Sequence, residues 1–300
     1  MRFIIRTEST RVPPVDSQLP DITRHRHVRP HAQAHYRAAV SDETCDQDDR
    51  ALVIRDLTKR FGSSIAVAGV NLDVPRGCFF GLVGPNGAGK TTTMNMATGL
   101  LRPDTGSVWV DGLNLCNDSV AAKARIGVLP DGLRLFERLS AAELLTYHGL
   151  LRNIPEATVE ERASQLLSTL DLANAGRKLV ADFSHGMRKK ITLAAALIHN
   201  PRLLFLDEPF EGVDPLSART IRMVLDRFTT HGGTVVLSSH AMDLVERLCQ
   251  HVAVMHQGSI VAAGPIDQVR QGQSLEDAFV ALVGSSSETT DLSWLGTSLD

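Results

Sequence analysis

Residues 84–91 read Gly84-Pro85-Asn86-Gly87-Ala88-Gly89-Lys90-Thr91, a complete G-x-x-x-x-G-K-[ST] phosphate loop. A triphosphate needs several N–H donors converging on one small volume, and a backbone relieved of Cβ atoms at key positions folds that tightly. Glycines at 84, 87 and 89 supply that freedom. The helix onto which the loop opens would aim its positive end at the anion. Lys90 is expected to reach the β and γ phosphates, and the Thr91 hydroxyl to ligand the magnesium ion that neutralises them.

Average composition produces this pattern by chance about once in a hundred chains of this length, so its context has to decide. A strand must precede it and a helix follow. Cys78-Phe79-Phe80-Gly81-Leu82-Val83 is an apolar run of the buried-strand kind, and Lys90 to Leu100 carries no breaker until Gly99. Further out, Leu52-Val53-Ile54 and Val70-Asn71-Leu72-Asp73-Val74 are strand-like, and Ser107 to Val110 ends at an Asp111-Gly112 turn. Leu203–Leu206, Thr234–Leu237 and Val252–Met255 are short apolar strands separated by helical stretches, the alternation of a parallel sheet. The last turns at Gln257-Gly258 into Ile260-Val261. Between Leu139 and Asn200 the pattern becomes helical, with Ala142, Leu145 and His148 at helical spacing, a break at Pro155, and a second stretch from Val159 to Leu172.

The chain of 300 residues is 43% apolar, enough for a packed core, and its net charge of -3 gives no electrostatic footprint for nucleic acid. Cys45, Cys78, Cys116 and Cys249 are far apart and form no C-x-x-C pair, so they read as single buried hydrophobes in a reducing compartment. No run reaches the 18 or so apolar residues that cross a bilayer, and Phe3-Ile4-Ile5 is too brief for a signal peptide. Residues 1–49, with their arginines, prolines and closing acidic patch, read as a disordered extension. A solvated tail explains His25, His27, His31 and His35 better than a metal site does, while a transit peptide or an early start assignment remains open for the segment.

Two further stretches carry chemistry. Leu203-Leu204-Phe205-Leu206-Asp207-Glu208-Pro209 puts two carboxylates at the carboxyl end of a strand, where parallel sheets bind ligands. Asp207 is expected to hold magnesium through water, and Glu208 to orient and deprotonate the attacking water. Phe183-Ser184-His185-Gly186-Met187 precedes a helix expected over about Met187–His199, with Ser184 as N-cap. Arg188, Lys189 and Lys190 in its first turn oppose the helix dipole, and a nearby anion would account for them.

The order Gly84 to Thr91 with Thr92, Phe183-Ser-His-Gly-Met, Leu206-Asp-Glu-Pro, Gly212-Val-Asp-Pro and Ser238-Ser-His240 resembles the nucleotide-binding domain of ABC transporters over about residues 50–285. The resemblance implies a P-loop NTPase α/β fold: a RecA-like parallel core, an antiparallel β subdomain, and a helical subdomain inserted at about 132–202, with a disordered tail at 286–300. It implies ATP and Mg2+ as cofactors, held by Phe61 on adenine, by Gly84, Pro85, Asn86, Gly87, Ala88, Gly89, Lys90, Thr91 and Thr92 on the phosphates, and by Thr91, Asp207 and Asp131 on the metal. Ser184 and Gly186 match the segment that contacts the γ-phosphate across a head-to-tail homodimer. Asp214 matches the loop that communicates across it, and His240 the switch histidine that keeps Glu208 and the γ-phosphate in register.

Asp131 stands where the family usually carries glutamine. Ser-x-Gly-Met followed by basic residues, and Ser274-Leu275-Glu276-Asp277-Ala278-Phe279, resemble bacterial drug exporters of the daunorubicin-resistance type. These features imply a cytoplasmic ATPase subunit, peripheral at the inner membrane, working beneath separately encoded transmembrane permease subunits that dock near Phe136 to Leu151, with no nucleic-acid partner. Two rivals are a soluble ABC ATPase, which would carry paired nucleotide domains or coiled coils, and a non-hydrolysing regulatory subunit, which Asp131 suggests.

Overall fold

The computed structural model of the protein describes residues 49–132, 135–175 and 177–284. The expectations for the N-terminal extension up to residue 48, including its four histidines, and for the tail from 285 lie outside the described residues.

Strand β3 (Phe79–Val83) is buried along its whole length. It sits inside a six-stranded sheet flanked by β8 (Thr234–Ser239) and β9 (His251–His256), both parallel to it. β7 (Leu203–Asp207) and β6 (Ile126–Leu129) continue the parallel run, and β10 (Ser259–Pro265) closes the other edge antiparallel to β9, giving the order β10-β9-β3-β8-β7-β6. Strands covered on both faces need apolar residues at successive positions, which is why these runs read as continuous rather than alternating. The hairpin into β10 turns at Gln257 and Gly258, both at positive φ (45° and 81°), the mirror-image turn that suits strand twist.

A second sheet is antiparallel, with order β2-β1-β4-β5: β1 (Arg50–Phe61), β2 (Ser64–Pro75), β4 (Thr105–Val110) and β5 (Leu113–Asn114). Helix α1 (Lys90–Ala97) packs in the core between the two sheets, with Met94 and Met96 against Phe80, Leu82, Phe205 and Met255 from one sheet and Leu52, Ile54 and Val70 from the other. Alternate residues of β3 face opposite ways, so Phe79 and Val83 join a second core beneath the sheet.

That second core is roofed by helices α3 (Ala141–Leu151), α4 (Glu156–Thr169) and α5 (His185–Leu197), with α6 (Pro215–Thr230) and α7 (Met242–Leu248) beside them. Further short helices are α2 (Ser119–Ala124), α8 (Ile266–Arg270) and α9 (Leu275–Val283). α3 starts on a reciprocal cap in which the Glu143 carboxylate accepts from Ser140 N while Ser140 Oγ accepts from Glu143 N. Its buried face is Ala141, Leu144, Leu145 and Gly149, so the expected stripe through Ala142 is corrected by one position and Ala142 is exposed. Cys78 and Cys249 are buried as expected. Cys116 is exposed instead, in the short connection after β5.

The two sheets are tied at one buried charge. Asp111, in the turn after β4, accepts from Arg76, Arg125 and Arg202, which stand before β3, β6 and β7. Burial pushes its carboxyl up, but the three guanidinium groups outweigh that and hold it below the usual carboxylate range.

Candidate nucleotide site

The phosphate loop leaves the buried end of β3 and is clasped from two sides. Gly84 has φ 153°, and a Cβ there would lie 2.1 Å from the Met255 carbonyl oxygen of β9. A Cβ on Gly89, at φ 104°, would lie 2.5 Å from the carbonyl oxygen of Ala66 in β2. The β9–β10 turn bridges these walls: Gly258 N donates to Ala88 O at 2.9 Å, and Ala68 N donates to Gly258 O at 2.8 Å. α1 begins at Gly89 with no side-chain cap and no acidic residue in its first turn, so its leading N–H groups are left for an anion. Pro85, Asn86, Gly87 and Thr91 are exposed along the loop.

Lys90 is buried and folded back, its Nζ donating to Gly84 O at 2.7 Å and Pro85 O at 3.3 Å. Burial lowers its pKa, opposed by the charges of Glu208 and Asp207 across the site. The loop lysine and the carboxylates at the end of β7, far apart in sequence, are thus brought within electrostatic reach.

Asp207 is the last residue of β7 and is buried, with Oδ1 accepting from Ser238 Oγ of the adjacent β8. The same Ser238 oxygen accepts from Glu208 N at 3.1 Å. Glu208 adopts φ 45°, a left-handed conformation that costs a side-chain-bearing residue about 1–3 kcal/mol. Its side chain is 12% exposed, and Oε1 lies 3.0 Å from His240 Nδ1. A carboxylate has no hydrogen to give, so Nδ1 donates, and Nε2 of this exposed imidazole is left for another partner.

The Ser184–Gly186 segment is built differently. Ser184 caps α5, its Oγ accepting from Met187 N at 3.3 Å, and the helix starts at His185 and ends at Leu197, two residues earlier at each end than expected. A Cβ on Gly186 would lie 2.8 Å from Ser217 Oγ and 2.9 Å from Asp214 Oδ2, so this glycine lets α5 sit on the start of α6. Asp214 caps α6 through Oδ1, accepting from Leu216 N at 3.1 Å and Ser217 N at 2.9 Å. Hydrogen bonds from Ser217, backbone first, hold its carboxyl below the usual range.

The anion inferred from the basic first turn of α5 belongs to the chain itself. Arg188 Nη1 donates to Glu137 at 3.0 Å, and Lys189 Nζ donates to the Glu208 carbonyl oxygen at 2.8 Å. Asp131 is exposed after β6, its Oδ1 accepting from Gly132 N, and its charge also acts on Lys189. Phe61 stands at the tip of the β1–β2 hairpin, 52% exposed and outside the core, with Lys59 Nζ 5.8 Å from its ring centroid.

The fold therefore gathers Lys90, Asp207, Glu208 and His240. It does not gather Ser184 or Gly186 with them: among the described residues no hydrogen bond or ion pair joins either to residues 84–92. Sequence reasoning singled out Ser238 and Lys189 but assigned neither a role at the carboxylates. A polar residue ending the apolar run of β8 was the available signal for Ser238; for Lys189 nothing in the chain announces that its partner is a backbone carbonyl 19 residues away.

A family model described as "ABC transporter" matches residues 67–211. The chain is 36% identical over 222 residues to the daunorubicin resistance ATP-binding protein DrrA3 of Streptomyces coeruleorubidus, spanning 74% of this chain and 70% of that protein. It is 38% identical over 213 residues to the Nod factor export ATP-binding protein I of Cupriavidus pinatubonensis, spanning 71% and 66% respectively. A solved structure described as the ATP binding subunit of an ABC transporter matches with a TM-score of 0.73 and 29% identity, covering 78% of this chain and 99% of that one.

Proposed function

The chain belongs to the ABC transporter ATP-binding family, with the P-loop NTPase α/β fold, and on that premise we propose that it is the ATP-hydrolysing subunit of a bacterial exporter. The observation that carries the site assignment is the 3.0 Å contact between His240 Nδ1 and Glu208 Oε1, beside buried Asp207 and within electrostatic reach of Lys90.

In this reading the backbone N–H groups of Gly87 to Thr92 and the Lys90 ammonium hold the phosphates, and the Phe61 ring stacks on adenine. Asp207, the Thr91 hydroxyl and Asp131 are hard oxygen donors of the kind magnesium takes, and they would hold Mg2+, whose charge supplies neutralisation at the β and γ phosphates. Glu208 takes a proton from water as the water oxygen bonds to the γ-phosphorus. The bond from that phosphorus to the β-γ bridging oxygen breaks, and ADP leaves with the electron pair. His240 holds the Glu208 carboxylate in line and offers Nε2 toward the γ-phosphate.

Ser184 is exposed and, among the described residues, makes no hydrogen bond to its own chain's loop, while Gly186 is buried against Asp214 and Ser217; the free Ser184 edge supports a head-to-tail homodimer in which each copy completes the other's site. Phe136, Tyr147, Leu150 and Leu151 form an exposed apolar patch around α3, with the Phe136 and Tyr147 rings 5.1 Å apart edge to face. Such a patch is the docking surface we assign to a separately encoded permease. No helix among the described residues is long and apolar enough to cross a membrane, which accords with a subunit peripheral at the cytoplasmic face. The names of the relatives, which concern drug resistance and Nod factor export, support export as the direction.

Purified full-length protein is expected to hydrolyse ATP only with magnesium. Lys90→Ala should abolish turnover, and Glu208→Gln should trap an ATP-bound dimer visible by gel filtration. Wild-type turnover in Glu208→Gln, or a monomer in ATP, would overturn the base assignment or the dimer respectively.

A further inference from the structure

One buried charge beside the proposed site has no part in that mechanism. Lys189, in the first turn of α5, is 2% exposed, and its Nζ donates a 2.8 Å hydrogen bond to the carbonyl oxygen of Glu208. An ammonium group is costly to bury unless its charge is met. The carboxylates of Asp131, Glu211, Asp207 and Glu208 all act on it. They come from the segment after β6 and from the single stretch 207–211 that ends β7 and leads toward α6, so two separate stretches of chain act on one side chain from α5.

What Lys189 holds is a strained peptide. Glu208 sits at φ 45° with its N–H given to Ser238 Oγ, its carbonyl taken by Lys189 and its carboxylate met by His240. A left-handed glutamate persists when its surroundings over-determine it. Release of the carbonyl lets the residue relax toward ordinary φ, which would swing the carboxylate away from His240. Of the three holders, Lys189 is the one mounted on the helix whose first residues follow Ser184 and include Gly186.

We propose that Lys189 is a positioning residue for ATP hydrolysis: by gripping the Glu208 carbonyl it fixes the aim of the carboxylate and links the Ser184–Gly186 turn rigidly to the hydrolytic turn of the same chain. The inference rests on Glu208 being the base. Among the described residues no hydrogen bond or ion pair joins the Lys189 side chain to the phosphate loop or to Phe61, so its removal should act on kcat and spare nucleotide binding.

The test uses the full chain with Mg-ATP. Lys189→Met should lower kcat by about ten- to a hundredfold, while KM and the affinity for a fluorescent ATP analogue stay within about twofold. Lys189→Arg, which keeps a donor and the charge, should recover most of the rate, a rescue that loss of packing alone does not give. In a Glu208→Gln background, adding Lys189→Met should lower the residual rate by less than about twofold, because a residue acting through another is non-additive with it. If the methionine variant does not fold, Lys189→Leu, which likewise has no donor, takes its place with the same expectations. Wild-type kcat in Lys189→Met, equal losses in the methionine and arginine variants, or full additivity with Glu208→Gln overturns the inference. Wild-type turnover in Glu208→Gln alone overturns the base reading itself, and is seen before Lys189 is altered.

Discussion

The turn that opens α1 and the turn that opens α5 both carry glycines and lead into a helix, yet they are supported in opposite ways. The phosphate loop is squeezed by backbone: carbonyls of Met255 and Ala66 crowd Gly84 and Gly89, and α1 has no side-chain cap. The Ser184–Gly186 turn is supported by side chains: the Ser184 hydroxyl caps its helix, and Asp214 and Ser217 fill the space beside Gly186. A rigid frame with open N–H groups is a preformed anion site. A turn whose needs are met by its own chain, with Ser184 at the surface, is suited to approach a ligand held by another copy.

The contrast can be broken most severely at Gly84. Gly84→Ala drives a Cβ into a backbone oxygen 2.1 Å away that cannot rotate aside, and should cost more than about 3 kcal/mol of stability together with ATP binding. Chemical unfolding and nucleotide titration read both; a variant within 1 kcal/mol or so of wild type would mean the loop is pliable.

The α5 half has its own weak point, at the far end of the helix. His199 Nε2 donates to Ile126 O at 2.9 Å, and burial, reinforced by Arg152, His148 and Arg162, lowers its pKa to about 4. An unfolded histidine titrates near 6.5, so as pH falls from that value toward 4 the unfolded chain takes up a proton that the folded chain refuses. Stability present at neutral pH should therefore decline across this window by about 2–3 kcal/mol. Unfolding curves at pH 7 and 5 test it: His199→Gln should flatten the dependence, and an unchanged slope would assign the loss to other groups.

Gly186→Ala sharpens the comparison directly, because the atoms it meets are side-chain tips of Asp214 and Ser217 rather than backbone. We expect a loss of about 1–2 kcal/mol, less than at Gly84, with ATP still bound by the variant's own loop and hydrolysis reduced. A penalty equal to that of Gly84→Ala would remove the distinction. Ser184→Ala is expected to be mildest, about 1 kcal/mol from the lost cap, read by thermal unfolding.

Much of this was legible in the chain. The loop, the buried strands, the turns at Asp111-Gly112 and Gln257-Gly258, and the Ser184 cap each depend on a few adjacent residues and their local conformational preferences. Reading failed where identity alone does not say which way a side chain faces. Ala142 and Leu145 have helical spacing, but packing chose Ala141, Leu144 and Leu145 as the inward face. Cys116 resembles the other cysteines in composition, yet it lies in an exposed turn. The basic first turn of α5 called for a nearby anion without saying which, because Glu137 and the Glu208 carbonyl become its partners only when distant segments meet.

By itself, then, the sequence determined that this chain carries a phosphate-loop pattern on a strand–loop–helix unit of a parallel sheet and paired carboxylates at another strand end, since those statements rest on short-range stereochemistry and apolar patterning. The tertiary structure alone decided that Lys90 comes within electrostatic reach of those carboxylates, that Glu208, in a left-handed turn, meets Ser238, Lys189 and His240, and that Ser184 makes no hydrogen bond to the loop. Each of these is a contact between residues far apart in the chain, and only the packing of two sheets and a helical layer brings such residues within hydrogen-bond reach or keeps them apart.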